Sequence, residues 1–301
     1  MTIKKALYKD VPAYILDTGT YLATVLPEDG GKIASFIKKS TGTEYLLTRE
    51  GDTYGRIRMD DAFERGECSG FDDMFPTIDP EYIVNEAGEE RFHPDHGEIS
   101  RVALTPTENE NSLTLTYTSE SLGYRFEKTF TEDDGKLRIS YKIENLKTPK
   151  MPALFAAHCL IRAEEGGKLL FPFGEGEEVD ILFDSSERLP VGKRTEYKNS
   201  LAESVFYPPR CEKFYFPREC PLGFVGYEYP SGETFLMEFD REALSCLGIW
   251  QNFGGLNDCY CIGLEPASLG YDTVSEAKRR GQEKPIENGN PLSFFIALSV
   301  K

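Results

Sequence analysis

Tyr124-Arg125-Phe126-Glu127-Lys128-Thr129-Phe130 alternates large and polar side chains, Asp133-Asp134-Gly135 follows, and Leu137-Arg138-Ile139-Ser140-Tyr141-Lys142-Ile143 alternates again. A period of two puts one set of side chains on each face of an extended strand, and Asp-Gly supplies the positive φ angles of a tight turn. The segment is therefore a β-hairpin. A second one is expected where Gly223–Tyr229 and Thr234–Phe239 flank Pro230-Ser231-Gly232-Glu233. Further strands are expected at Leu22–Leu26, Ser112–Tyr117, Ala153–Ile161, Tyr260–Leu264 and Leu292–Val300. Helical patterning is confined to Thr273–Arg280, with Ser275 as the N-cap candidate before Glu276-Ala277-Lys278-Arg279-Arg280. The fold class is all-β, and with neither a linker of biased composition nor a fixed-period repeat, residues 1–301 are read as one domain.

Composition narrows the function classes. Hydrophobic residues make up 40% and aromatics 12% of the 301 residues, enough apolar surface for a large core. The formal charge of -17 repels polyanions and argues against a nucleic-acid partner. The amino-terminal Lys4-Lys5 is not followed by an apolar run, and no later stretch has membrane-spanning length, so a cytoplasmic protein with no membrane partner is expected. Seven cysteines are an odd number, and a bridge between Cys259 and Cys261 would be strained, so reduced and mostly buried thiols are expected.

Two of the three histidines stand in phrases that suit proton transfer, and a glutamate stands in a third. Pro94-Asp95-His96-Gly97-Glu98 places His96 at a loop or strand end, where a polar side chain can face a ligand. Ala153–Ile161 is nearly all apolar and reads as a strand buried on both faces, with His158 on the side of Ala156 and Leu160. Taken alone, His158 is a core histidine bonded to a neighbour. Glu265 ends the apolar run Tyr260–Leu264 and precedes Pro266, where a glutamate is commonly just solvated. His93 is expected at the surface or behind the site. Imidazole exchanges protons near neutrality and a carboxylate can act as its complementary base, so His96, His158 and Glu265 form a candidate acid/base set. For sugar recognition, Trp250 and Phe71 are the aromatic stacking candidates and Asp73 is the hydroxyl acceptor. A rival reading makes His93, His96 and Glu98 metal ligands, as in cupin-like enzymes, although their spacing matches no metal motif.

The order of His96-Gly97, a mid-chain strand histidine and Gly263-Leu264-Glu265-Pro266 resembles the aldose 1-epimerase (galactose mutarotase-like) family. Gly30-Gly31-Lys32-Ile33-Ala34-Ser35-Phe36, Ser69–Asp79, Gly248-Ile249-Trp250 and Gly254-Gly255 extend the resemblance from about Gly30 to the C-terminus. It implies a β-supersandwich whose groove gathers both histidines and the glutamate. Glu265 would take the proton from the anomeric hydroxyl, His158 would protonate the ring oxygen, and His96 would orient the sugar. Arg56, with Arg58 as its rival, is the nearest match to the family's anchoring arginines. Such chemistry moves one proton off and one on, so no cofactor and no metal are expected. The partner is a small neutral aldose, because no arginine or lysine cluster suited to a phosphate stands out. A non-catalytic sugar-binding protein on the same fold is the other alternative. The sequence sets no oligomeric state.

Overall fold

The computed structural model describes residues 1–84 and 88–301. Among these, antiparallel strands dominate, and two large sheets face one another. The hairpin at residues 124–143 forms as its alternation requires. Its strands, Tyr124–Asp133 and Lys136–Asn145, pair from Tyr124↔Asn145 to Asp133↔Lys136. Asp134 and Gly135 make the turn, at φ 50° and 77°. The second hairpin, Phe224–Glu228 with Thr234–Phe239, also forms. Both belong to the eight-stranded sheet, in which Leu292–Val300 joins them by pairing with Lys136–Asn145 on one side and Thr234–Phe239 on the other.

The expected strand at Ser112–Tyr117 forms as Leu113–Ser119 in the eight-stranded sheet, paired with Tyr124–Asp133, while the twelve-stranded sheet carries those expected at Leu22–Leu26, Ala153–Ile161 and Tyr260–Leu264. Its central run is Lys32–Lys38, Phe71–Met74, Ala156–Arg162, Tyr260–Ala267, Cys246–Phe253, Arg210–Phe216 and Glu178–Asp184. One apolar cluster fills the space between the sheets, with Phe71, Cys159, Ile161, Ile262 and Leu264 from the larger and Phe126, Phe130, Ile139, Phe235 and Ile296 from the smaller. Each large apolar side chain so buried contributes about 1.5–3 kcal/mol relative to exposure. The larger sheet thus has one dry face and one face free for other use.

Among the boundaries that differ from the sequence reading, two involve residues singled out above. The glutamate strand does not stop at Leu264; it runs to Ala267, with Pro266 opposite Leu247, so Glu265 is an interior strand residue. The helix Val274–Arg279 is capped by Thr273, not Ser275. Thr273 is extended (φ -136°, ψ 151°), and its Oγ1 accepts from the Glu276 amide at 3.0 Å. Ser275 lies inside the first turn, and its hydroxyl donates to Glu81. Among the described residues no helix is long and apolar enough to cross a membrane.

Candidate active site

The free face of the larger sheet holds a cavity of about 570 Å³. Strand alternation decides which side chains reach it. On Ala156–Arg162, Cys159 and Ile161 enter the inter-sheet core, while His158 and Leu160 face the cavity. Cys159 pairs with Leu264 and Ala156 with Ala267, so the same register sets His158 across from Glu265. His158 is 6% exposed and Glu265 2%. Gly248 pairs with Glu265 on its other side, and Gly263 lies one step along the same face. A Cβ on Gly263 would stand 3.3 Å from Glu265 Oε1 and 3.0 Å from the Trp250 Cβ. The glycine keeps the floor beside the carboxylate open.

His96 arrives from a loop that several bonds hold in place. The Asp95 carboxylate accepts from the Phe63 amide at 2.7 Å, and its carbonyl accepts from Arg101 Nε at 3.0 Å. Gly97, at φ 74°, lies so close to Phe75 that a Cβ would be 2.3 Å from the Phe75 carbonyl oxygen, so His96-Gly97 is needed for backbone reasons as well as chemical ones. The His96 ring stacks on Phe63 (4.0 Å, 4°) and meets the His158 ring edge-on at 5.1 Å. Its Nδ1 is 2.7 Å from Asp95 Oδ1, an arrangement that assigns the Nδ1 proton to that bond and leaves Nε2 free.

Lys213, which the sequence reading missed, is the site's electrostatic centre. From the strand Arg210–Phe216 its ammonium lies 2.7 Å from Asp272 and 3.2 Å from Glu265 Oε2. Burial disfavours that ammonium, but Asp272 and Glu265 outweigh it, and the Lys213 pKa rises above the ordinary lysine value. Burial raises the Glu265 pKa against the pull of Lys213. Burial also drives the His158 pKa well below the ordinary value, helped by His96, Lys213 and Lys32. Two polar atoms stay unsatisfied: the Lys213 contact is not aligned as a hydrogen bond to Glu265 Oε2, and His158 Nδ1 has no partner.

The structure brings His96, His158, Glu265 and Trp250 to one cavity. It does not bring the other candidates. Phe71 and Asp73 point the opposite way: Asp72 is the residue opposite His158, and alternation sends its neighbours into the inter-sheet core. There Asp73 pairs with Lys128 at 2.6 Å and accepts from Tyr141 at 2.8 Å, so it ties the sheets together instead of facing the cavity. Arg56 is exposed and pairs with Glu28, and Arg58 is exposed outside the cavity. Arg49 lines it instead, its Nε donating to the Glu67 carbonyl at 3.3 Å. A basic residue outside any recognisable phrase gave no signal.

The proposed metal set is dispersed. His93 is 3% exposed, not at the surface, and burial pushes its pKa down to about 4. Glu98 accepts from the Tyr124 hydroxyl at 2.5 Å, beneath the loop that carries His96. Among the described residues no group of three or more His, Cys, Asp or Glu side chains is placed to hold a metal ion.

No protein-family model matches the chain, and no curated protein matches it. Solved structures do. A galactose mutarotase-like protein from Clostridium acetobutylicum aligns over 100% of this chain and 98% of its own, with a TM-score of 0.72 and 16% identity. A candidate aldose 1-epimerase from Escherichia coli K12 aligns over 96% and 98%, with a TM-score of 0.67 and 16% identity. A galactose mutarotase related enzyme from Lactobacillus acidophilus aligns over 95% and 97%, with a TM-score of 0.66 and 11% identity. At these identities the likeness establishes the fold: the chain is an all-β, galactose mutarotase-like β-supersandwich.

Proposed function

We propose that the protein is an aldose 1-epimerase acting on a reducing sugar. The observation that carries this reading is the cross-strand pair of His158 and Glu265, both buried, both facing the cavity, each with an unsatisfied polar atom. Buried polar groups are almost always bonded, so a carboxylate and an imidazole that line one cavity without filling each other's bonds are suited to act as an acid/base pair. Glu265 takes the proton from the anomeric hydroxyl while His158 delivers one to the ring oxygen. The C1–O5 bond breaks and the open-chain aldehyde forms. Rotation about C1–C2 and the reverse transfers close the ring on the other face, with no net change in protons or electrons.

The electrostatics suit a reversible transfer. Burial raises the proton affinity of the carboxylate and lowers that of the imidazole, so the two approach each other. Each group must both give and accept within one turnover, which matched affinities favour. Lys213 keeps the Glu265 carboxylate accessible as an anion despite its burial. His96, oriented by Asp95 and Phe63, presents Nε2 to the sugar. The Trp250 face suits the C–H face of a pyranose.

A sugar-binding protein without turnover is the second reading, favoured by one contact: Lys213 neutralises Glu265 in the absence of substrate. The two separate when a freshly dissolved pure anomer is followed by NMR with and without the protein. The epimerase reading expects equilibration well above the buffer rate for at least one common aldose; binding without acceleration supports the alternative.

A further inference from the structure

The cavity continues well past the acid/base pair. Side chains on its floor fall into rows two residues apart along the strands. Glu265 and His158 form the first row, Gly263, Trp250 and Leu160 the second, and Cys261 with Asn252 the third. Two residues of a strand advance roughly 7 Å, so the third row lies roughly 13 Å from the first. One hexose with its anomeric carbon at Glu265 ends over the Trp250 row. The third row would then lie bare.

Beyond that row stands a built wall. The turn at 254–258 is held by the Asn252 side chain, which accepts from the Gly255 and Leu256 amides at 3.1 Å each and donates to the Leu256 carbonyl at 3.0 Å. It turns Leu256 and Asn257 toward the cavity, and Leu256 is 47% exposed there. Phe183, 42% exposed, stacks on Trp250 at 5.9 Å along the same side. Arg49 and Asn257 supply hydrogen-bond donors among these apolar groups. Apolar faces interleaved with donors are what a pyranose ring matches, whereas a plain hydrocarbon would strand the donors.

We propose that this end of the cavity is a second sugar subsite, and that the preferred substrate is a reducing disaccharide whose free anomeric end sits at Glu265 and whose second ring lies against Leu256, Asn257 and Arg49. The proposal rests on the epimerase reading for the orientation of the sugar, but not for the existence of the subsite. The volume of about 570 Å³ falls in the class that encloses ligands well above the size of a single hexose.

The test uses the full chain with glucose and galactose against maltose, cellobiose and lactose, measuring affinity by calorimetry and anomer exchange by NMR on one preparation. The best disaccharide should bind at least about tenfold more tightly than its own reducing-end hexose. The variants are Leu256→Ala, which removes only an exposed side chain, and Asn257→Gly, which keeps the φ of 51° available. Each should cost the disaccharide about threefold to tenfold in affinity while leaving hexose affinity within about twofold. Equal affinity for hexoses and disaccharides in the parent, equal weakening of both by the variants, or no binding of any of these sugars overturns the subsite. Preferred disaccharide binding without anomer exchange leaves the subsite standing and overturns the epimerase reading alone.

Discussion

Two buried lysine–carboxylate pairs lie on opposite faces of the same sheet, and they are built differently. Lys128 is 1% exposed and lies between the sheets, with Nζ 2.6 Å from Asp73 Oδ2 and 2.9 Å from the Gly31 carbonyl, while Tyr141 donates to the other Asp73 oxygen. The second pair faces the cavity. Lys213 divides its ammonium between Asp272 and Glu265, and Glu265 Oε2 is left without an aligned bond. A charge pair whose carboxylate oxygens are both engaged in hydrogen bonds has no capacity left for a ligand. The pair with a carboxylate oxygen left unbonded is the one beside His158.

Breaking the filled pair should have the largest effect on stability. Lys128→Met leaves the Asp73 carboxylate uncompensated in a dry space, and such losses cost about 3–5 kcal/mol. Denaturant unfolding should show that loss, while anomer exchange per folded molecule stays near the parent. Adding Asp73→Leu should recover much of the stability, because the charge that needed compensation is gone. A cost under about 1 kcal/mol for Lys128→Met would mean that the inter-sheet pair is not the anchor described.

On the cavity side the effect should move from stability to turnover. His158→Asn keeps a hydrogen-bonding side chain but cannot deliver a proton, so turnover should fall at least ~100-fold while sugar affinity changes little. Its melting temperature should stay within about 4 °C of the parent, the scale of a 1 kcal/mol change. A large drop in melting temperature with turnover per folded molecule retained would make His158 a core residue.

The pH dependence is the subtlest comparison. The rate rises as Glu265 loses its proton, through a pKa that burial moves above the ordinary 4.5, and falls as His158 loses its own, through a pKa that burial moves well below 6.5. Both limbs move inward, so kcat/KM should peak narrowly on the acid side of neutrality. The charged groups at the pair are Lys213, Asp272, His96 and Lys32, and Lys213→Met should carry the acid limb further upward. A plateau extending past pH 8 in the parent contradicts the assignment.

The hairpins and the fold class were legible because period-two alternation and Asp-Gly turns are local signals. His158 was legible in part: its strand and its facing were readable, but the residue opposite it was not. That is why Asp73 was named although it faces the core; adjacent strand residues point oppositely, and only the pairing of Phe71–Met74 with Ala156–Arg162 fixes which one lies on the His158 side of the sheet. For His93, expected at the surface or behind the site, the surface alternative fails because short-range polarity around it conceals burial created by distant segments. Lys213 and Arg49 carry no phrase at all, and both reach the cavity only when segments far apart in sequence are laid side by side.

The central claim is that the unsatisfied carboxylate of Glu265 moves the proton. Glu265→Gln preserves the shape of the side chain, removes its basicity and leaves Lys213 paired with Asp272. Anomer exchange of a pure aldose, followed by NMR on protein shown by circular dichroism to be folded, should fall at least ~100-fold from the parent rate. Exchange that stays near the parent rate in the folded variant would contradict the account.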